Sequence, residues 1–240
     1  MSDKLVIIPT YNEKENVEAI IRAALSVDGT FDVLIVDDSS PDGTNEIVTH
    51  LIPEFNGRLH LEIRTVKDGL GRAYVHGFKW ALKNNYAFIF EMDADFSHNP
   101  TDLPRLFQAL ADGADVAIGS RYSNGVNVVN WPMNRVLMSY FASKYVRIIT
   151  NLPVHDATAG FVGYRAEVLK TLNLDKIQFK GYGFQIEMKY KSWVKKFSIK
   201  EVPIIFTDRT LGESKISSDI IGEAVFGVIS LRLRNLLGKL

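Results

Sequence analysis

The alternation of short apolar runs with helical segments through the first 120 residues is the feature that most constrains the fold. Strand-like, mostly apolar runs occupy residues 5–8, 33–36, 59–63, 87–92 and 115–119. Apolar residues with helical spacing occupy most of the segments between them, at 16–25, 44–51, 70–84 and 103–112. Strands that alternate with helices in this way predict an α/β domain with a mainly parallel sheet covered by helices.

The second half of the chain is less regular. Its pattern predicts helices at 132–151, 168–172, 184–193 and 217–237, and a strand at 198–206. Because no repeat or linker composition interrupts the chain, we expect one domain over residues 1–216 and a C-terminal amphipathic helix over 217–240. No signal peptide and no spanning segment are expected, since no apolar run approaches the roughly 20 residues of a membrane-spanning helix.

Composition excludes several classes of protein. With 46% hydrophobic and 23% charged residues the chain is neither disordered nor collagen-like, and the absence of cysteine excludes disulfides, thiolate zinc sites and a cysteine nucleophile. A net charge of zero removes the electrostatic argument for nucleic-acid binding, so no nucleic-acid partner is expected. The neutrality divides into −9 over residues 1–120 and +9 over residues 121–240, which fits either chance or two halves that bind different substrates.

Polar clusters follow three of the predicted strands, at residues 9–13, 37–39 and 93–95. In parallel sheets, ligands bind outside the carboxyl ends of the strands. We therefore expect the three clusters to lie on one rim of the sheet.

The cluster with the sharpest chemistry is Asp93-Ala94-Asp95. Alternate residues leaving a strand can bring two carboxylates near one point, where they repel unless a cation lies between them. Magnesium or manganese, which keep coordination positions open for phosphate oxygens, would suit such a pair. A solvated acidic turn is the structural alternative, since aspartate is common in turns. The position of the pair beside two other polar clusters favours the metal site.

The other two clusters offer groups for a nucleoside. Asp37 and Asp38 could accept hydrogen bonds from a base or ribose. Tyr11 offers a stacking face and Glu13 a further acceptor. Turn formation and helix capping would explain residues 40–43 without any ligand.

Candidate phosphate-binding groups come mainly from the basic half. Arg121 follows the fifth predicted strand, and Arg135 and Ser139 are neighbours on one helix face. Residues 208–215 place cations around a glycine, as in a loop that closes over phosphate. Each of these also fits a solvated surface, and residues 69–71 fit a turn better than a dinucleotide-binding glycine motif.

These motifs together resemble those of the inverting family 2 glycosyltransferases and, within them, the dolichol-phosphate (polyprenyl-phosphate) mannosyltransferase subfamily. The resemblance covers residues 4–217 and rests on the segments 8–13, 36–44, 92–100, 119–122, 156–164, 181–187 and 209–215. It implies a GT-A (Rossmann-like) fold with a nucleotide-sugar pocket.

The resemblance also implies roles for individual residues. The nucleoside would be held by Pro9, Tyr11, Glu13 and Asp38. Mg²⁺ or Mn²⁺ would be bound by Asp93, Asp95 and Ser97, with Ala94 lining the nucleotide. Phosphates would be met by Arg121, Arg209 and Lys215, which together with Asp95 would act in catalysis. The lipid phosphate of the acceptor would be met by Arg135 and Ser139.

The implied reaction is inverting transfer of a hexose, with GDP-mannose as the favoured donor, to dolichyl or polyprenyl phosphate. A phosphomonoester is mostly a dianion at pH 7 and needs no general base, so we expect Asp156 to order a loop. The alternatives are UDP-glucose or another nucleotide sugar as donor, a nucleotide-binding module without catalysis, and a transferase acting on a hydroxyl group, which would need a base.

A membrane surface is a further expected partner. The predicted helix 217–237 carries an apolar stripe with basic residues nearby, which suits an interfacial helix or, equally, a helix packed on the core. The stripe consists of Ile220, Ile221, Ala224, Val225, Val228, Leu231 and Leu236. We expect a cytoplasmic protein, peripheral at the cytoplasmic membrane face, and leave open a small membrane-anchor subunit.

Overall fold

A computed structural model describes residues 2–28, 30–181, 183–209 and 218–240, with the backbone alone over 218–225. The strands in this part of the chain are β1 (Lys4–Thr10), β2 (Asp32–Asp37), β3 (Leu59–Ile63), β4 (Phe88–Glu91), β5 (Val116–Ser120), β6 (Val128–Val129), β7 (Val162–Arg165), β8 (Ile199–Pro203) and β9 (Phe206–Thr207). The helices are α1 (Val17–Ser26), α2 (Thr44–Leu51), α3 (Leu70–Lys83), α4 (Leu103–Ala111), α5 (Met133–Thr150), α6 (Ala166–Thr171), α7 (Gly183–Val194) and α8 (Ser218–Leu236).

Seven of these strands form one sheet in the order β3-β2-β1-β4-β7-β5-β8. All neighbours are parallel except β7, which runs antiparallel between β4 and β5. The prediction of a mainly parallel sheet is confirmed. A separate pair, β6 and β9, forms a small parallel ladder.

Helices cover both faces of the sheet, which explains why the central residues of β1 and β2 are all apolar. One core contains α1, α2 and α4, and the other contains α3, α5, α6, α7 and α8. The apolar face predicted for α1 is buried, as its spacing requires. The molecule is thus a three-layer α/β/α domain.

The structure differs from the sequence prediction in the second half. The strand β7 was not predicted, because its four residues carry no recognisable period and gain stability from partners on both sides. Gly163 lies so close to the Phe90 ring that an added Cβ would be 2.6 Å from it. The single strand predicted at 198–206 is two strands, since the chain leaves the sheet after Pro203 and its continuation pairs with β6.

The helix α8 packs against α5 and α7. Val228 and Leu231 of the predicted apolar stripe are therefore buried, whereas Leu236 is 65% exposed. The positions 220, 221, 224 and 225 lie outside the described side chains. Across the described residues, no helix is both long enough and apolar enough to cross a membrane.

Candidate active site

The three polar clusters meet at one edge of the sheet, because β1, β2 and β4 are parallel neighbours. They surround a cavity of about 450 Å³, a volume typical of small-molecule sites. The predicted site residues that line it are Pro9, Tyr11, Glu13, Asp38, Asp93, Ala94, Asp95 and Arg209. The expectation of a common rim is confirmed.

The loops after β1 and β2 are tied to each other. Thr10 Oγ1 donates to Asp37 Oδ1 at 2.8 Å, and Asp37 also accepts from the backbone N–H and the hydroxyl of Ser40. The backbone N–H of Glu13 donates to Thr44 Oγ1 at 3.0 Å. Asp37 is fully buried in these contacts, so the expectation that it faces a nucleoside is wrong. Its hydrogen bonds to the end of β1 and to the loop after β2 make it a structural residue.

Asp38 does line the cavity, and its carboxylate lies 3.1 Å from the guanidinium of Arg64. Burial raises the pKa of Asp38, while the positive charge of Arg64 acts against that rise. Elsewhere in the cavity lining, the ammonium of Lys67 lies 3.5 Å from the centroid of the Tyr11 ring. The Tyr11 face therefore attracts a cation in this structure.

Three non-glycine residues at the rim adopt left-handed backbone conformations, with φ of 55° at Asn12, 52° at Ser39 and 60° at Phe96. Such conformations cost on the order of 1–3 kcal/mol each and persist where neighbours hold them. The Asn12 N–H donates to Ser40 Oγ at 3.0 Å, and the Ser39 hydroxyl donates to the carbonyl of Arg64 at 2.7 Å. The rim is therefore held in shape by hydrogen bonds between loops.

Asp93 and Asp95 both line the cavity. Desolvation by the surrounding protein raises the pKa of Asp93, and the nearby charge of Asp95 adds to the rise. Burial also acts to raise the pKa of Asp95, but hydrogen bonding from Ser97 and the charge of Arg209 outweigh it and hold the pKa low. The surroundings thus raise the pKa of Asp93 and lower that of Asp95.

His98 is buried next to the carboxylate pair. The Asp93 N–H donates to His98 Nδ1 at 3.1 Å, so this nitrogen is an acceptor and the ring is neutral. Burial lowers the pKa of His98, which agrees with a neutral ring. The ring stacks on Phe161 and meets Phe206 edge to face. His98 is therefore a structural support of the carboxylate pair.

The residues present fit a divalent cation. Two carboxylates with opposed pKa shifts line the cavity, and the buried Ser97, whose backbone N–H donates to Asp95 Oδ1 at 3.1 Å, places its hydroxyl beside Asp95. Among the described residues no three His, Cys, Asp or Glu side chains converge on one point. Magnesium is commonly held by one or two carboxylates together with water and substrate phosphates, so a pair suffices.

Of the predicted phosphate-binding residues, Arg209 lines the cavity and Arg135 does not. Arg209 Nη2 lies 3.1 Å from Asp95 Oδ2. Arg135, near the start of α5, donates to Asp208 Oδ1 at 2.8 Å and lies 4.1 Å from the centroid of the Trp131 ring. Ser139 follows one turn later on α5, and Lys215 lies outside the described residues.

Arg121 is buried against Asp156, outside the cavity lining. Its backbone N–H, Nε and Nη2 donate to the Asp156 carboxylate at 2.9, 2.7 and 2.6 Å. Burial alone would raise the pKa of Asp156, but Arg121 more than compensates, so the pKa lies below its usual value. Asp156 orders this region, and a carboxylate held in that way is a poor proton acceptor.

Sequence reasoning missed several groups at the cavity. Lys67, Gly69 and Lys180 line it, and the segment carrying Lys180 crosses the start of α3. The Gly71 N–H donates to the Lys180 carbonyl at 2.8 Å, and a Cβ on Gly69 would lie 2.7 Å from the same oxygen. The glycines at 69 and 71 were a signal of this close approach, although they fit a turn as well. Trp131, which contacts Arg121 and Arg135, had no sequence signal.

Sequence comparison identifies the family. A sequence profile described as "Glycosyl transferase family 2" matches residues 5–172, well over half of the chain. The chain belongs to glycosyl transferase family 2. It is a glycosyltransferase, and its mostly parallel sheet flanked by helices is a GT-A fold.

Similar proteins carry related names. The polyprenol monophosphomannose synthase of Mycolicibacterium smegmatis is 45% identical over 98% of this chain and 89% of that protein. The undecaprenyl-phosphate mannosyltransferase of Micrococcus luteus is 46% identical over 93% of this chain and 91% of its own length. The dolichol-phosphate mannosyltransferase of Pyrococcus furiosus is 38% identical over 91% of this chain and 60% of its own.

Among solved structures, glucosyl-3-phosphoglycerate synthase from Mycobacterium tuberculosis, in complex with Mn²⁺, UDP and glucosyl-3-phosphoglycerate, has the same fold. It superposes with a TM-score of 0.68 at 18% identity and covers 98% of this chain and 79% of that chain. At this identity the likeness concerns the fold alone.

Proposed function

We propose that this glycosyltransferase transfers mannose from GDP-mannose to a polyprenyl or dolichyl phosphate, with inversion at the anomeric carbon. The observation that carries the proposal is the cavity that opens on Asp93 and Asp95, with Arg209 at its wall and Arg135 next in line through Asp208. The diphosphate of the donor and the phosphate of the acceptor would meet the two arginines, Arg209 and Arg135. The names of the three relatives support the same pair of substrates.

At the donor end, the nucleoside would lie among Pro9, Tyr11, Glu13 and Asp38, which line the cavity. Asp93 and Asp95, with the Ser97 hydroxyl, would hold Mg²⁺ or Mn²⁺, and Ala94 would line the nucleotide. The bound cation would supply positive charge for the diphosphate leaving group. Arg209 and Lys215 would add hydrogen-bond donors to the same diphosphate.

At the acceptor end, Arg135 and Ser139 would bind the lipid phosphate. A phosphomonoester has a second pKa of about 6 and is therefore mostly a dianion at pH 7. It can attack the anomeric carbon without losing a proton to the enzyme. The engagement of Asp156 by Arg121 supports this route, because a hydroxyl acceptor would need a general base.

A membrane would supply the lipid acceptor, and an apolar surface on α5 and α8 is suited to it. The exposed apolar residues of this surface are Met133, Leu137, Met138, Phe141 and Ile148 of α5, Phe226, Ile229, Leu233 and Leu236 of α8, and Leu237 just beyond it. On each helix they share one face, as in interfacial helices. We infer peripheral binding at the cytoplasmic membrane face.

The reaction is tested with purified enzyme, Mg²⁺, labelled GDP-mannose or UDP-glucose, and farnesyl phosphate or farnesol as acceptor. We expect mannose transfer to farnesyl phosphate and no transfer to farnesol. Transfer to farnesol would contradict the phosphate acceptor, and a preference for UDP-glucose would contradict the donor.

The metal assignment is tested with Asp93→Asn and Asp95→Asn, with Asp112→Asn as an exposed carboxylate control. We expect a loss of at least about a hundredfold in transfer for the first two, as is common when a group that stabilises developing charge is removed, and unchanged transfer for the control. Metal-dependent transfer that persists in both cavity variants would contradict the assignment.

Membrane binding is tested by flotation with anionic liposomes. Phe226→Ser and Leu236→Ser remove apolar side chains that are 77% and 65% exposed, whereas Val66→Ser removes one that is 61% exposed elsewhere. We expect the first two, but not the third, to weaken flotation. If the pure protein floats with the liposomes, no anchor subunit is required. If it does not float, an anchor subunit is favoured.

A further inference from the structure

The segment after β9 connects the donor and acceptor ends of the site. The Asp208 N–H donates to the carbonyl of Val129 at 3.0 Å, which extends the β6–β9 ladder by one residue. The next two side chains along this segment point to different charged partners. Asp208 accepts from Arg135 Nη1 at 2.8 Å, and Arg209 Nη2 lies 3.1 Å from Asp95 Oδ2.

We propose that Asp208 and Arg209 imitate the two charged ligands of the site in the resting enzyme. The Asp208 carboxylate would take the place of the acceptor phosphate on Arg135, and the Arg209 guanidinium would take the place of the metal's positive charge beside Asp95. This inference rests on the proposed function, which assigns Arg135 to the phosphate and Asp95 to the metal. Asp208 is then a positioning residue that substrate binding must displace.

The exposure of the ion pairs shows which of them can exchange partners. The side chains of Arg135 and Asp208 are 26% and 25% exposed, so an incoming phosphate can reach the pair from solvent. The Arg121–Asp156 pair is 9% and 0% exposed and has three short hydrogen bonds. Separating a buried pair of this kind is costly, whereas a partly exposed pair is weak. Asp208 is therefore the carboxylate that an incoming phosphate can displace from its arginine.

The two exchanges are linked through the backbone. Asp208 Oδ1 accepts from both Arg135 Nη1 and the Arg209 N–H, at 2.8 and 3.1 Å. A phosphate that takes over Arg135 changes the contacts of Asp208 and so of the adjoining Arg209. A metal ion that takes over Asp95 frees the Arg209 side chain for the donor diphosphate. We therefore expect the acceptor phosphate to raise the affinity for the metal. Because coupling between two binding sites is reciprocal, the metal would then raise the affinity for the phosphate by the same factor.

The metal end is tested by Mn²⁺ titration of the full-length protein, followed by electron paramagnetic resonance, without nucleotide. Arg209→Gln should bind Mn²⁺ about two- to fivefold more tightly than wild type. This is the change expected when the Arg209–Asp95 ion pair, whose side chains are 22% and 7% exposed, no longer competes with the metal. Lys67→Gln is the matched control, since Lys67 lines the same cavity and contacts Tyr11. Equal tightening in both variants, or none in Arg209→Gln, would overturn the proposal.

The acceptor end is tested by calorimetric titration with farnesyl phosphate, without donor. Asp208→Asn should bind it about two- to fivefold more tightly, because the phosphate no longer competes with a carboxylate. Asp175→Asn makes the same charge change at a side chain that is 78% exposed and should leave the affinity unchanged. Weaker binding by Asp208→Asn would show that Asp208 only holds Arg135 in place and would overturn the proposal.

The wild-type enzyme provides a measurement that depends on no variant. Saturating farnesyl phosphate should tighten Mn²⁺ binding, and unchanged Mn²⁺ affinity would refute the linkage. These binding experiments contain no sugar donor, so they succeed or fail separately from mannose transfer. If wild type does not bind farnesyl phosphate, the proposed acceptor is wrong, and the Mn²⁺ comparison still decides the role of Arg209.

Discussion

Replacing Asp156 by asparagine tests whether this carboxylate acts by neutralising a buried arginine. Three Arg121 groups donate to it at 2.6–2.9 Å, and the Asp156 side chain is fully buried. Asparagine keeps one acceptor oxygen, but its amide group would face a guanidinium donor. Removing one partner of a buried ion pair costs roughly 3–5 kcal/mol, because the other charge remains desolvated.

We therefore expect Asp156→Asn to lower the free energy of unfolding by roughly 3–5 kcal/mol. For a domain of 150–250 residues this corresponds to a fall in Tm of roughly 6–20 °C. The measurements are urea unfolding followed by circular dichroism, and a thermal scan. Asp112→Asn is the control, because its pair with Lys200 is about half exposed and is worth roughly 0–1 kcal/mol.

The result that would refute this reasoning is an Asp156→Asn protein as stable as the Asp112→Asn control. If Asp156→Asn kept the wild-type stability and lost transfer, Asp156 would act in the reaction itself. A general base would then appear as an acidic limb of the pH–rate profile that disappears in the variant.

Three further perturbations test other parts of the structure. Gly71→Ala places a Cβ 2.8 Å from the Phe179 carbonyl and should cost roughly 1–3 kcal/mol in urea unfolding. Tyr86→Phe removes the hydroxyl that donates to the buried Asp32 at 2.9 Å and should lower the free energy of unfolding by roughly 1–3 kcal/mol, whereas an unchanged urea midpoint would contradict the role of this bond. The pKa of folded Asp156 lies below the ordinary aspartate value of about 3.9, so its stabilisation should be complete at neutral pH and lost only as the pH falls below about 4. The check is the difference in the free energy of unfolding between wild type and Asp156→Asn, measured from pH 3 to 7. A difference that vanishes above pH 5 would contradict the prediction.

The sequence by itself determined the α/β class, most elements of the first half and the common rim. The α2 and β3 ranges agree with those predicted, because their patterns are local and each is bounded by turn residues. The rim followed from topology, since the carboxyl ends of neighbouring parallel strands must lie at one edge of the sheet. These inferences needed only the periodicity of short segments.

Tertiary structure decided which of the polar residues at that rim can contact a ligand in the cavity. Asp37 and Asp38 are adjacent and chemically identical, yet Asp37 is consumed by hydrogen bonds to Thr10 and Ser40 while Asp38 lines the cavity. The strand β7 is similar, because its place is set by β4 and β5 on either side. No local pattern distinguishes such cases.

The charged partners of the site were likewise decided by the fold. Arg135 and Asp208 are 73 residues apart, and Arg121 and Asp156 are 35 apart, so no helical or strand spacing relates them. The Arg135–Asp208 pair depends on the ladder of β6 and β9 and on the place of α5, whereas the Arg121–Asp156 pair joins the end of β5 to the segment between α5 and β7. Local sequence periodicity specifies which elements form, whereas contacts between distant segments specify which of their side chains meet.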